Sequence, residues 1–425
     1  VVKGNQQKYS MKILHLVHAY YPAIGGSEYL VQQVSEYLVN GAGDDVTVFT
    51  TFAYNSALFS GRKPEVMPKS RENEVINNVK IRRFPVVNRW ANVFYVIQYI
   101  LYHIRFPGNG FWRKLYYGPL SPEMRRAVED FDADIIVSAP FPLNHMNYGF
   151  KNRKKAPVIL MGCMHTADKH GFHNRWILKA IQKADGYIAL TSHEKRFLVE
   201  EWGIDENKTI IAIIGVGIDV KPPSVPGNHI REQVGIVPRV PLIAFIGQHG
   251  LHKGINILIK AMPRVWEKFP DARLVIAGGT TPFTGSFKKL ARSIDRGQQG
   301  RIHFMDNVDE NRKYGIIESC DIFASPSGYE SFGITILEAW MKKKPVVACN
   351  IEATRNLVRD GETGFLVEYY NHSQLAETLI RLIENPGLRK KVGENGYKKL
   401  KENYTKEIIG KKFRDFYDKI LSSKQ

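Results

Sequence analysis

The feature that most constrains this chain is the alternation of short apolar, strand-like runs with helix-periodic segments along nearly its whole length. Apolar runs at 13–17, 46–50, 134–138, 158–161 and 187–190 are separated by lengths suited to helices, such as the periodic segment 28–39. Short runs of this kind with helical lengths between them predict parallel strands joined by crossover helices. The pattern breaks at 221–227 (KPPSVPG), where three prolines and a glycine interrupt any regular element. It restarts with strand-like runs at 242–247, 273–277, 302–305, 322–325 and 346–348 and helical segments at 254–269 and 334–342. A length of 425 residues suits two cores of about 200 residues each better than one. The predicted fold class is α/β, with two doubly wound, Rossmann-like domains at 1–220 and 221–402. A final segment, 403–425, carries Ile408, Ile409, Phe413, Phe416, Tyr417 and Ile420 at amphipathic-helix spacing.

Composition narrows the function classes. No run of eighteen apolar residues occurs and residues 1–10 are polar, so the expectation is a cytoplasmic chain without a spanning helix or a leader. Cys163, Cys320 and Cys349 form no CxxC pair and read as core thiols. The formal net charge of +18 calls for a polyanionic partner: nucleic acid, anionic lipid headgroups or phosphorylated substrates. Residues 80–122 hold seven Lys/Arg and no acid, interleaved with aromatics from Trp90 to Tyr117. That composition suits a membrane interface or an inward-packed helix stripe.

The most informative stretch is 324–341, ASPSGYESFGITILEAWM: a strand end, a Gly/Ser/Pro loop, then an apolar helix. Ligands of open α/β sheets sit at this carboxyl edge. Gly333 allows close approach to the backbone, and the first-turn amides suit a pyrophosphate. Glu338 lies inside the apolar helix, where a carboxylate is costly unless paired, and Glu330 stands eight residues earlier above the same helix end. Two carboxylates around an anion-binding turn suit a polyhydroxylated, phosphorylated ligand; Glu338 alone also fits pairing with a nearby lysine.

Glu330 to Glu338 resembles the E-x7-E motif, within PSxxESFGxxxLEA, of the retaining GT-B glycosyltransferases of the family-four group (glycosyl transferases group 1). The resemblance covers nearly the whole chain. It implies that Glu330 contacts hydroxyls of the transferred sugar, that Glu338 binds the ribose, and that the turn Ser331, Phe332, Gly333 and Ile334 holds the diphosphate. The segment 245–254, FIGQHGLHKG, is similar to the family's GRxxxxKG loop and gives Lys253 the leaving diphosphate. Gln248 replaces the family's arginine; it donates hydrogen bonds but supplies neither charge nor a bidentate fork, with His249 or His252 as compensating groups. At 302–308 the family's nucleobase loop is matched up to Val308, with Asp306 at a position where a glycine is usual. In the first domain the P-x-x-G-G loop gives Gly25 and Gly26 donor-phosphate or acceptor contacts, and His165, at a strand end, reaches the transferred sugar.

The resemblance further implies two domains facing across a cleft, a C-terminal helix crossing back to the first domain, and same-face attack without a protein nucleophile. The donor is a UDP- or GDP-type sugar, with no separate cofactor. The acceptor is a sugar or lipid-linked glycan in glycolipid, polysaccharide or glycoprotein glycan synthesis. An anionic membrane surface is an expected partner and nucleic acid is not. No metal site is expected. Asp132-Ala-Asp134 precedes its strand and so lies at the amino edge, and His165, Asp168, His170 and His173 match neither HExxH nor zinc-finger spacing. Alternatives are a storage-glucan or disaccharide synthase of the same fold and a silent nucleotide-sugar binder.

Overall fold

In the computed structural model the described residues are 9–424, apart from 24, 55, 60–65, 88, 105, 107, 108, 221–227, 234, 238 and 296–299. The break at 221–227 therefore lies outside them, as do residues 1–8 and the side chain of His170. The chain divides into two units, Val1–Gly217 with Lys406–Gln425, and Ile218–Thr405. The second unit begins and ends at one place, since Ile218 bridges Thr405 and its N–H donates to the Tyr404 carbonyl at 3.0 Å. That pairing sets the unit's limits at 218 and 405 rather than at the expected 221 and 402.

The first unit is built on β1 (Lys12–Val17), β2 (Asp45–Thr51), β3 (Asn73–Ile76), β4 (Val79–Phe84), β5 (Ile135–Ala139), β6 (Val158–Met161), β7 (Gly186–Ala189) and β8 (Ile210–Ile213). Their order is β3-β4-β2-β1-β5-β6-β7-β8, parallel except for β3 against β4. The β3–β4 hairpin and β8 are absent from the sequence-based expectation. The hairpin turns on Asn77 and Asn78, both at positive φ, the backbone of a two-residue turn that Asn tolerates. The second unit carries β9 (Leu242–Ile246), β10 (Arg273–Gly278), β11 (Ile302–Asp306), β12 (Ile322–Ser325), β13 (Val346–Cys349) and β14 (Phe365–Val367). The order is β11-β10-β9-β12-β13-β14, all parallel. Central strands β5, β6, β9, β12 and β13 are buried at every residue, as sheets covered by helices on both faces require.

Helix Lys406–Ser422 belongs to the first unit. Its apolar stripe, including Ile409, Phe413, Phe416, Tyr417 and Ile420, is buried, and the Tyr417 hydroxyl meets His15 Nε2 at 3.2 Å. Arg414, 1% exposed, sits 2.7 Å from Asp44, donates to the Tyr9 carbonyl at 2.8 Å and also pairs with Asp418. Asp44 accepts the Met11 N–H at 2.9 Å, so one buried ion pair fastens the last helix to the start of β1.

The aromatic stretch differs from the helix-core alternative. In helix Ala91–His103 only Ala91 and Gln98 are buried. Trp90, Tyr95, Tyr99, Ile100 and Phe111 are 46–57% exposed. Helix Asn109–Tyr117 packs beside it, with Tyr95 against Tyr116 at 5.4 Å and Phe94 against Trp112 at 6.3 Å. Among the described residues no helix is long and apolar enough to cross a membrane.

Arg414→Ala leaves Asp44 buried without its cation, a change that costs about 3–5 kcal/mol when a buried pair loses one partner. The expected result is a lower urea midpoint for the first unit, followed by tryptophan fluorescence; an unchanged midpoint would show that the pair does not anchor the helix.

Candidate donor and acceptor sites

In the second unit β9 continues to β10 on one side, while β12 lies on the other. Loops leaving the carboxyl ends of β9 and β12 therefore start side by side, at the switch point at which open α/β sheets bind ligands. Gly254 closes the β9 loop at φ +70°, and a Cβ there would lie 2.0 Å from the Pro326 carbonyl oxygen of the β12 loop. Only a glycine lets the two loops run this close.

That approach brings Lys253 and Glu330 together: Lys253 Nζ donates to Glu330 Oε1 at 2.7 Å, with both side chains mostly buried. Glu330 leads through Ser331 and Phe332 to Gly333, which caps helix Ile334–Met341 at φ +102°. The first amides of that helix have no partner within it. Phe332 is buried and packs its ring edge-on to Tyr404 at 5.7 Å. Ser327, 1% exposed, presents a hydroxyl without a hydrogen-bond partner among the described residues.

Glu338, 3% exposed, is held by Lys313 Nζ at 2.6 Å, and Lys313 also lies 4.5 Å from the Tyr314 ring centre. The carboxylate inside the apolar helix is thus neutralised within the protein. Lys313, on helix Glu310–Ser319, carried no signal in the sequence. Gln248 is exposed above Gly279. His249 does not replace the missing arginine charge. It is fully buried, its Nδ1 meets Thr284 Oγ1 at 3.2 Å, and burial holds its pKa below the usual imidazole range. It is a neutral tie between the β9 and β10 loops. The His252 carbonyl accepts the Gly328 N–H at 2.8 Å. At the end of β11, Asp306 pairs with Lys288 at 2.6 Å. Asn307 then accepts the Thr280 N–H at 3.1 Å and leads to half-buried Val308.

In the first unit β1 lies between β2 and β5, a second switch point. Gly25 caps helix Gly26–Asn40, and a Cβ on Gly25 would lie 2.4 Å from the Glu28 carboxylate. Glu28 accepts from Ser27 Oγ at 2.7 Å and sits 3.0 Å from His18 Nε2. Burial pushes its pKa up, but His18 and the hydrogen bonds outweigh that and hold it at about 2. His165 is half-buried, with its ring 5.5 Å from that of Phe172. Asp168 caps helix Lys169–Phe172 through the Gly171 N–H, and His173 Nε2 meets the Thr166 carbonyl at 2.7 Å, so both serve the loop. Asp134 accepts the Lys12 N–H at 2.7 Å and Asp132 pairs with Lys12 Nζ at 2.6 Å, at the amino ends of β1 and β5.

Glu194 carries no signal in the sequence. Fully buried, it accepts from Tyr187 Oη at 2.6 Å, the Leu190 N–H at 2.8 Å and the Met164 N–H at 3.4 Å, pinning the loop that carries His165.

Against this geometry, the sequence matches the family model "Glycosyl transferases group 1" over residues 228–399 and "Glycosyltransferase Family 4" over 24–221. The chain belongs to the group 1 glycosyltransferases and has the GT-B fold. A "D-inositol 3-phosphate glycosyltransferase" of Corynebacterium aurimucosum is 30% identical over 50% of this chain and 52% of its own length. The chain thus spans about half of that relative. A "Phosphatidyl-myo-inositol mannosyltransferase" of Mycobacterium leprae is 28% identical over 75% of this chain and 83% of its own. In fold, the chain is similar to Anabaena HepE, solved "in complex with UDP and glucose". The TM-score is 0.69 and the identity 18%, over 96% of this chain and 99% of the other.

Burial pushes the Glu194 pKa up, against its three hydrogen bonds, to about 7 from an ordinary 4.5. The fold favours its protonated form, so this contribution to stability is full below pH 4.5 and is lost as pH rises through about 7. Glu194→Gln removes that dependence, worth about 3 kcal/mol at roughly 1.4 kcal/mol per pH unit. Urea unfolding of both proteins on either side of the window checks it; parallel pH profiles would refute it.

Proposed function

We propose that the chain transfers a glycosyl group from a nucleoside-diphosphate sugar, of UDP or GDP type, to an acceptor hydroxyl with retention of anomeric configuration. The observation that carries this reading is the Lys253–Glu330 pair, at 2.7 Å, beside a glycine-capped helix at the switch point of the second unit. On arrival of the donor, Lys253 exchanges Glu330 for the diphosphate, whose oxygens also take the first amides of helix Ile334–Met341. Glu330, released from Lys253, accepts hydrogen bonds from the transferred sugar's hydroxyls and favours an oxocarbenium-like transition state. Ser331 and Ser327 lie along the same turn, Gln248 donates to phosphate, and Val308 borders the nucleobase. Glu338 binds the ribose with the oxygen that Lys313 leaves to it.

As the bond to the sugar breaks, charge develops on the leaving diphosphate, where Lys253 and the helix amides already stand; this reading needs no metal. The same diphosphate takes the acceptor proton, so attack occurs on the face that it leaves. We read Gly25, Gly26 and His165, at the carboxyl edge of the first unit's sheet, as that unit's contacts to sugar or acceptor. The relatives named for inositol-bearing acceptors support an acceptor that is a sugar or a lipid-linked glycan. The exposed aromatic face of the first unit supports a chain working peripherally at the cytoplasmic face of an anionic membrane.

A panel of UDP- and GDP-sugars should raise the melting temperature for one nucleotide class. Lys253→Ala should lower kcat by about 10²–10³-fold, the scale for losing one group that stabilises developing charge, with a smaller change in KM. Product NMR reads the anomer; an inverted product, or Lys253→Ala turning over at the native rate, would overturn the mechanism.

A further inference from the structure

Within the first unit, a cavity of about 660 Å³ opens between helix Asn109–Tyr117, helix Pro122–Asp130 and the turns at 144–151. Lys114, Arg125, Arg126 and Lys151 line it, with Glu129 as the one carboxylate in the wall. Among the described residues none of these four cations has an ion-pair partner. Lys114 is half-buried; burial first, then Arg125 and Lys183, hold its pKa below the usual lysine range. Four cations gathered around a hollow with a single carboxylate among them favour an anion between them.

The cavity adjoins the exposed aromatic face. Phe111, 57% exposed, lines the cavity and packs edge-on to Trp112 at 5.6 Å, which in turn meets Phe94 of helix Ala91–His103. Exposed aromatic rings beside cations, on a stretch without an acid from 80 to 122, match the interfacial zone of a bilayer. A soluble phosphate has no use for the aromatic face, whereas a lipid uses both features.

We propose that this cavity binds the phosphate of an anionic glycerophospholipid whose acyl chains lie along the aromatic face of helices Ala91–His103 and Asn109–Tyr117. The proposal rests on the reading that the first unit meets an anionic membrane, and its test separates the two.

The full chain is floated with vesicles of phosphatidylcholine alone or mixed with phosphatidylglycerol. It is also titrated calorimetrically with a water-soluble short-chain phosphatidylglycerol and with inorganic phosphate. Native protein should bind the mixed vesicles and saturate with one short-chain lipid, and bind inorganic phosphate at least about tenfold more weakly. Lys114→Gln/Arg125→Gln should lose the short-chain lipid and weaken mixed-vesicle binding by about 10–30-fold, at about fivefold per charge. Lys390→Gln/Lys391→Gln, two exposed lysines on helix Pro386–Asn403 of the second unit, should change neither, and unchanged melting temperatures confirm that both variants fold. Absence of vesicle binding by the native chain overturns the membrane reading and the proposal with it. Vesicle binding that survives Lys114→Gln/Arg125→Gln, or falls equally in the lysine control, overturns the cavity site alone. Equal affinity for inorganic phosphate and the short-chain lipid overturns the lipid as ligand.

Discussion

The backbone contact between Gly254 and the Pro326 carbonyl organises the second unit's site. The loops after β9 and β12 come from strands 70 residues or more apart in sequence, and they reach the same point because the two strands are neighbours in the sheet. With no side chain at 254 to hold them apart, Lys253 and Glu330 meet at hydrogen-bond distance. Their separation of 77 positions is bridged by topology, and the site's electrostatics follow from that closeness. A bulkier residue at 254 would move the lysine and the helix start together.

The fold was legible in the sequence because its determinants are local and repeated. Apolar runs with helical spacers state parallel strands directly, and the strand end, Gly/Ser/Pro loop and apolar helix at 324–341 mark a loop at the carboxyl edge, while the roles of its two glutamates come from the family resemblance. Partner choice was not legible. Nothing at Glu338 indicates that Lys313, on the preceding helix, holds it at 2.6 Å, and nothing at His249 indicates complete burial. Composition marks 80–122 as basic and aromatic, but composition cannot say whether those rings pack inward; Trp90 and Tyr99 are half exposed at the surface. The second unit's limits follow the pairing of Ile218 with Thr405, which the nearby prolines only approximate.

The first unit secures its carboxyl-edge loops by a different device. Glu194 is buried as an acceptor for two backbone N–H groups and a tyrosine hydroxyl, and Glu28 is buried against His18 beneath Gly25. Burying a carboxylate is costly unless hydrogen bonds or an opposite charge offset it. The two sites show both remedies: Glu28 is held ionised by its histidine, while Glu194 is pushed toward its neutral form. Each carboxylate thereby fixes a loop, one carrying Gly25 and Gly26, the other His165.

The two proposed anion sites differ in where their counter-charge resides. In the proposed donor site the lysine is matched within the protein, Lys253 with Glu330, so on that reading a diphosphate displaces a carboxylate and gains only the difference between two strong pairings. On the proposed reading that exchange moderates affinity for any anion, while a nucleotide sugar also brings hydroxyls from which the displaced Glu330 accepts hydrogen bonds. In the cavity of the first unit Lys114 and Arg125 repel each other, so an anion relieves a repulsion instead of breaking a pair. Such a wall attracts phosphate with little regard for what carries it, and selectivity there has to come from the aromatic face beside it.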